Sequence, residues 1–180
     1  DKTERLIESG IKNGDFEYSA TPIFWNYQGD VRIVASLGEL QPQSGKRMAI
    51  ITTGIGSKES EYLAGTEGSI LEQTFRVPTN AKTLSFKYDV VSEEPTEWFG
   101  TAYDDKFVVN IINSSGENEQ VAFESVNGSN WEKIENINFE GGDETTYHTG
   151  WNTAKIDISK YQSNMDLNRA KSEGAEFAII

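Results

Sequence analysis

The chain has 180 residues and no cysteine, and its 16 Lys and Arg stand against 29 Asp and Glu for a formal net charge of −13 at pH 7. That excludes a disulfide framework, a thiolate metal site and a cysteine nucleophile, and it argues against nucleic acid and anionic membrane surfaces as partners, since both repel an acidic chain. The length suits one domain over 1–180 with a core of its own; no apolar run approaches the roughly eighteen residues of a membrane span, and no signal-peptide pattern opens the chain, so a soluble mature or trimmed chain without membrane insertion is expected.

Residues 1–10 carry Leu6 and Ile7 among charges and are expected as a short helical lead-in. Asn13-Gly14-Asp15-Phe16-Glu17 is a turn that launches a first strand, continued through 21–27 with Phe24 and Trp25. Residues 31–36 (Val-Arg-Ile-Val-Ala-Ser) form a short β-branched run and 47–53 (Arg-Met-Ala-Ile-Ile-Thr-Thr) a buried strand, followed by a polar, glycine-bracketed loop over 54–68. Alternation is clearest next: Leu71, Gln73, Phe75 and Val77 share one face of 69–77, and Leu84, Phe86, Tyr88 and Val90 share one face of 83–91. Segments 106–113 and 120–126 pair as a hairpin across Ser114-Ser115-Gly116. Two more strands, 131–139 and 153–159, flank a glycine-acid loop at 141–146; 167–173 reads as a short helix and 175–180 as a last strand. About ten short strands with frequent turn signals and almost no helical period indicate an all-β sandwich of two antiparallel sheets. No internal repeat is visible, which sets propellers and solenoids aside.

Chemical information concentrates in 92–107, where Glu93, Glu94, Glu97, Asp104 and Asp105 crowd between two strands beside Pro95, Trp98, Phe99 and Tyr103. Rings exposed on a loop are costly, so the aromatics imply a loop folded down onto the sheet. Acids held close raise one another's pKa unless a cation sits among them. Calcium tolerates the irregular oxygen geometry a loop supplies, which makes Glu94, Glu97 and Asp105 expected ligands of Ca2+. A solvated acidic connector is the plain alternative.

Paired carboxylates also raise a glycoside hydrolase acting through Glu94 and Glu97. These acids straddle Pro95 in a loop, where alternation cannot put them on one face. His148 is the only histidine, and no G-x-S-x-G accompanies it, which disfavours a serine triad. Trp25, Trp98, Trp131, Trp151, Tyr103 and Tyr147 are candidate sugar-stacking rings, most of them core in a sandwich of this size. Tyr147 and Trp151, with His148 beside a glycine-rich loop, are the expected ligand-binding residues.

Two family resemblances join these readings. Asn13-Gly14-Asp15-Phe16-Glu17, followed by Trp25, Gly45 and Met48-Ala49, resembles the opening of jelly-roll carbohydrate-binding modules. That likeness implies Asp15 and Glu17 as acids of a structural calcium site. Ser92-Glu93-Glu94 through Glu97, Trp98, Asp105 and Phe107 resembles the acidic-aromatic pattern of bacterial surface modules of the choice-of-anchor type, with Asp104 where Asn is common and Pro95-Thr96 in place of Tyr-Pro. Gly150-Trp151 and Ile156-Asp157-Ile158-Ser159 resemble a strand of the same jelly-roll surface domains. The choice-of-anchor pattern closes with one more Asp-rich strand than is seen here. It therefore implies a jelly roll lacking its last strand, completed by a β-strand from a second chain or a C-terminal peptide, or covered by 1–10. The combined expectation is an extracellular or cell-surface, noncatalytic, calcium-binding module for adhesion or carbohydrate binding, whose ligand is a glycan or a protein. A sandwich glycosidase and a purely structural assembly module are the alternatives.

Overall fold

The computed structural model describes residues 10–53, 68–102, 104–139 and 145–161, with the backbone alone of two strands at 169–173 and 177–179. In chain order the strands are β1 (Asn26–Gln28), β2 (Val31–Val34), β3 (Met48–Thr52), β4 (Ile70–Glu72), β5 (Thr83–Ser92), β6 (Lys106–Ile112), β7 (Asn118–Ser125), β8 (Glu132–Ile134), β9 (Thr146–His148), β10 (Asn152–Asp157), β11 (Arg169–Glu173) and β12 (Phe177–Ile179). One sheet has the order β1-β4-β11-β6-β7. The second runs β2-β3-β12-β5-β9-β8, with β10 continuing beside β5. The chain passes from sheet to sheet so that β3-β12-β5-β10 faces β4-β11-β6-β7, the interleaved order of a jelly roll. The all-β jelly-roll sandwich expected from the sequence is the fold found. Among the described residues no helix is long and apolar enough to cross a membrane.

The last two strands correct two expectations together. Residues 169–173 are not helical; β11 sits between β4 and β6, with Ala170 opposite Leu71 on one side and Val109 on the other. Arg, Ala, Lys and Glu favour helices locally, but pairing on both edges overrides a preference worth only tenths of a kcal/mol per residue. As a strand, 169–173 fills a place inside the first sheet. The final strand β12 is an inner strand, Ala178 lying opposite Ile51 of β3 and Val90 of β5. The open edge that a donated strand was expected to fill is not at β12. The helical lead-in lies outside the described residues, apart from Gly10.

Alternation assigns the core as expected. Val31, Ala49, Ile51, Leu71, Tyr88, Val90, Phe107 and Val109 pack between the sheets, with Phe86 and Ala154 against them. Tyr88 and Phe107 bring their rings to 5.0 Å across the interface. Leu84 joins Phe75, Val77, Ile111 and Ile158 toward one end.

The alternate positions of the second sheet are less usual. Met48, Ile50 and Val91 point away from the first sheet, yet are buried with Leu40 and Ile137 in a separate apolar cluster, against which Leu37, Ile134, Phe139 and Trp151 pack. The chain therefore covers part of the outer face of the second sheet with its own loops, on both sides of β5. That is why β5 changes character along its length. Its first half is alternately exposed, whereas Tyr88, Asp89, Val90, Val91 and Ser92 are all buried.

Candidate binding site

β9 and β10 are one strand interrupted by a bulge. His148 lies opposite Val91 and Asn152 opposite Tyr88, so four steps on this strand match three on β5. The extra residue falls at Thr149-Gly150-Trp151, where Gly150 takes φ +73°, a conformation glycine adopts without a Cβ penalty. The Thr149 side chain repairs the ladder. Its N–H donates to the Val90 carbonyl at 2.9 Å, and its hydroxyl accepts the Val90 N–H at 3.1 Å.

The bulge aims polar groups at Asp89, which is fully buried on the outer face of the second sheet. His148 Nδ1 lies 2.9 Å from Asp89 Oδ2, the Thr149 hydroxyl is 3.3 Å from Oδ1, and the Gly150 N–H also reaches the carboxylate. Burial pushes the Asp89 carboxyl up from its ordinary range, and the His148 and Thr149 bonds oppose that shift. Three donors converging on one group fit an ionised carboxylate, which only accepts. A neutral His148 accordingly carries its proton on Nδ1 and presents Nε2 as an acceptor. The ring is 18% exposed, and no described residue engages Nε2.

Around His148 the same face carries Glu132, directly across on β8, and Thr146, two residues before it. Trp151 is half-buried against the outer apolar cluster. Glu93, only 2% exposed, accepts the Phe139 N–H at 2.9 Å through Oε1, with the Thr146 hydroxyl at 3.1 Å. An open cleft of about 500 Å³ adjoins this group, walled by residues 133–138 and by Thr146. Its amides Asn136 and Asn138 and its apolar Ile134 and Ile137 give it both hydrogen-bonding and nonpolar surface.

The structure therefore brings His148 and Trp151 to one face and adds Asp89 and Thr149, which sequence reasoning missed. Tyr147 lies opposite Ser92, and successive side chains alternate, so it points to the other face and does not share a groove with Trp151. The acidic loop is not folded down as expected. Trp98 is 40% and Phe99 45% exposed, because the loop is held at main-chain level: the Gly100 N–H donates to Asn127 Oδ1 at 2.6 Å, and the Asn127 N–H to Asp104 Oδ1 at 2.9 Å. Glu94 and Asp105 are half-buried and Glu97 is exposed. Among the described residues no three His, Asp or Glu side chains gather into a cation-sized cluster.

The turn at 13–17 is built differently. Phe16 sits at φ +58° with its ring in the core, and Trp25 packs against it at 5.5 Å. Glu17 Oε1 accepts the N–H groups of Lys46 and Arg47 at 2.6 and 2.8 Å, while Asp15 Oδ1 accepts the Glu17 N–H at 3.3 Å. Gly45, at φ +68°, leaves the room this clamp needs, since a Cβ there falls 2.4 Å from Glu17 Oε1. The two acids thus share one turn, each with one oxygen engaged in these bonds.

No family model matches the chain, and no curated protein matches it. Among solved structures it is similar to the N-terminal endo-1,4-beta-D-xylanase 10B of Clostridium thermocellum, in a structure of its CBM22-1-GH10 modules complexed with xylohexaose. The identity is 13% and the TM-score 0.37, over 87% of this chain and 24% of that one, so the chain spans about a quarter of that structure's length. A likeness this distant carries no functional argument.

Proposed function

We propose that the protein is a noncatalytic saccharide-binding module working outside the cell or at its surface, and that it takes its ligand on the outer face of the second sheet, at His148, Trp151 and the adjoining cleft. The observation that carries this reading is the Asp89–His148 pair. A buried carboxylate fixes the imidazole in one tautomer and leaves Nε2 as an oriented acceptor, suited to a ligand hydroxyl, beside a half-buried indole suited to a pyranose C–H face. The buried acids here are committed to protein donors. Asp89 holds His148, Thr149 and Gly150, and Glu93 holds Phe139 and Thr146. That commitment favours binding over hydrolysis, which needs a carboxyl group able to give up and take a proton at the substrate.

Calcium belongs to the same proposal at the 13–17 turn, with Asp15 and Glu17 as the acids and main-chain carbonyls supplying further oxygens. No ion is assigned to Glu94, Glu97 or Asp105. An array of neutral glycans probed with the parent, Trp151→Ala and His148→Ala tests the binding reading. Selective binding by the parent that both variants lose is expected. An array silent for the folded parent, or variants that bind as the parent does, overturns it.

A further inference from the structure

Residues 18–29 contain no Asp, Glu, Lys or Arg, in a chain of which 25% is charged. An uncharged run in a sandwich is ordinarily a buried strand, but this one lies largely on the surface. Tyr18 is 70% exposed, Phe24 53% and Tyr27 53%. Tyr18 and Phe24 stand edge to face with centroids 5.4 Å apart. Phe24 also occupies the third position of a turn closed by the Trp25 N–H on the Pro22 carbonyl at 3.0 Å, with φ at +73°. Turns of this kind reserve that position for Gly or Asn, and a bulky residue there is strained. An exposed ring held in a strained conformation, gaining no burial from it, points to use at the surface rather than to packing.

The rings are also preorganised. Asn13 binds both ends of the segment, its Oδ1 accepting the Tyr18 N–H at 3.1 Å and its Nδ2 donating to the Ile23 carbonyl at 3.0 Å. Trp25 anchors the middle by donating from Nε1 to the Asn13 carbonyl at 3.0 Å. The same segment carries the hydroxyls of Ser19 and exposed Thr21, 3.2 Å apart. A basic protein partner, the kind a net charge of −13 attracts, finds no carboxylate in this stretch, and a phosphate finds no cation. Aromatic faces rimmed by neutral hydrogen-bonding groups match a neutral polyhydroxylated ligand.

We infer that Tyr18 and Phe24 form a second saccharide contact, separate from the His148 site, that stacks on the flat C–H faces of a neutral chain of all-equatorial pyranoses. It rests on the saccharide-binding reading but not on the location of the first site. The probe is cellohexaose, titrated into the full chain while the aromatic side-chain resonances and the heat of binding are followed, for the parent, Phe24→Gly and Trp151→Ala. Tyr18 and Phe24 resonances should shift in the parent. Phe24→Gly should melt no lower than the parent, because glycine takes φ +73° freely, and should weaken binding at these rings about tenfold by removing one stacked face. Trp151→Ala should leave the Tyr18 and Phe24 shifts intact. Rings unperturbed at millimolar cellohexaose, or a Phe24→Gly variant that binds as the parent does, overturn the inference. So does a marked fall in the melting temperature of Phe24→Gly, which makes Phe24 a structural residue. Shifts confined to His148 and Trp151 reject this contact and keep the first site, whereas shifts confined to the Tyr18 platform support the inference and reject the first.

Discussion

Replacing Asp89 by Ala should be among the most destabilising single changes available outside the inter-sheet core. The substitution removes an acceptor that serves His148 Nδ1 at 2.9 Å, the Thr149 hydroxyl at 3.3 Å and the Gly150 N–H, all around a fully buried position. Each buried donor stranded without its acceptor typically costs about 1–3 kcal/mol, and three are stranded here. The lower end applies, because the His148 ring is 18% exposed and can rehydrate in part, and because the 3.3 Å contact is weak. At about 2–4 °C per kcal/mol for a chain of this length, a cost near 3 kcal/mol lowers the melting temperature by about 6–12 °C. Asp89→Asn keeps the shape and one carbonyl oxygen, so it should cost only about 1–2 kcal/mol. If its amide nitrogen faces His148, Nδ1 must become an acceptor and the ring proton move to Nε2. Thermal unfolding followed by circular dichroism, with imidazole nitrogen spectra of the single histidine, reads both effects. An Asp89→Ala protein melting within about 2 °C of the parent, or an imidazole protonated at Nε2 rather than Nδ1 in the free parent, refutes the reasoning.

The pH dependence of the same pair has a definite sign. Burial raises the folded-state pKa of Asp89 above 3.8, so its contribution to stability is fully present below the unfolded value and is lost as pH rises through the folded one. Measured against Asp89→Asn, which has no carboxyl at that position to titrate, the parent should therefore gain relative stability as pH falls from neutral toward the ordinary carboxylate value of 3.8, and a gap moving the other way contradicts the assignment. Gly45→Ala should cost about 1–3 kcal/mol in chemical denaturation, through a Cβ set against Glu17 and a left-handed φ of +68°; a neutral effect would mean that the Glu17 clamp is dispensable. Calcium at a hundredfold excess over its Kd should stabilise the chain by about 2.7 kcal/mol, or about 5–11 °C, and Glu17→Ala should abolish the rise. Identical melting in calcium and in excess EDTA retires the ion.

How much of this was legible in the sequence follows from which interactions are local. The alternation of Leu84, Phe86, Tyr88 and Val90 depends only on the pleat, and the structure places these residues as the pattern predicts. β11 was not legible, because its partners at 70–72 and 106–110 are distant in the chain and its composition favours a helix. Asp89 reads as one more polar residue in a mixed run. Its burial depends on loops around Leu40 and Ile137 that cover the outer face and on a histidine 59 residues away. A signal was nonetheless present at the other end of that pair. The only histidine falls in 145–154, which is free of Asp, Glu, Lys and Arg and combines Tyr147, Gly150 and Trp151. The acidic loop misleads because its sequence offers Trp98 and Phe99 as anchors, whereas Asn127 and the main chain hold it through contacts with Gly100 and Asp104.

The most direct measurement of the central claim uses the fact that the protein has one histidine. Uniformly 15N-labelled protein gives a single imidazole, whose two nitrogens can be followed at neutral pH as a glycan identified on the array is added. The account predicts a neutral ring protonated at Nδ1 in the free protein, with Nε2 shifting on saturation as it accepts a ligand hydroxyl and Trp151 responding in the same titration. A ring protonated at Nε2 in the free protein, or a saturating glycan that leaves both His148 nitrogens and the Trp151 indole unmoved, contradicts it.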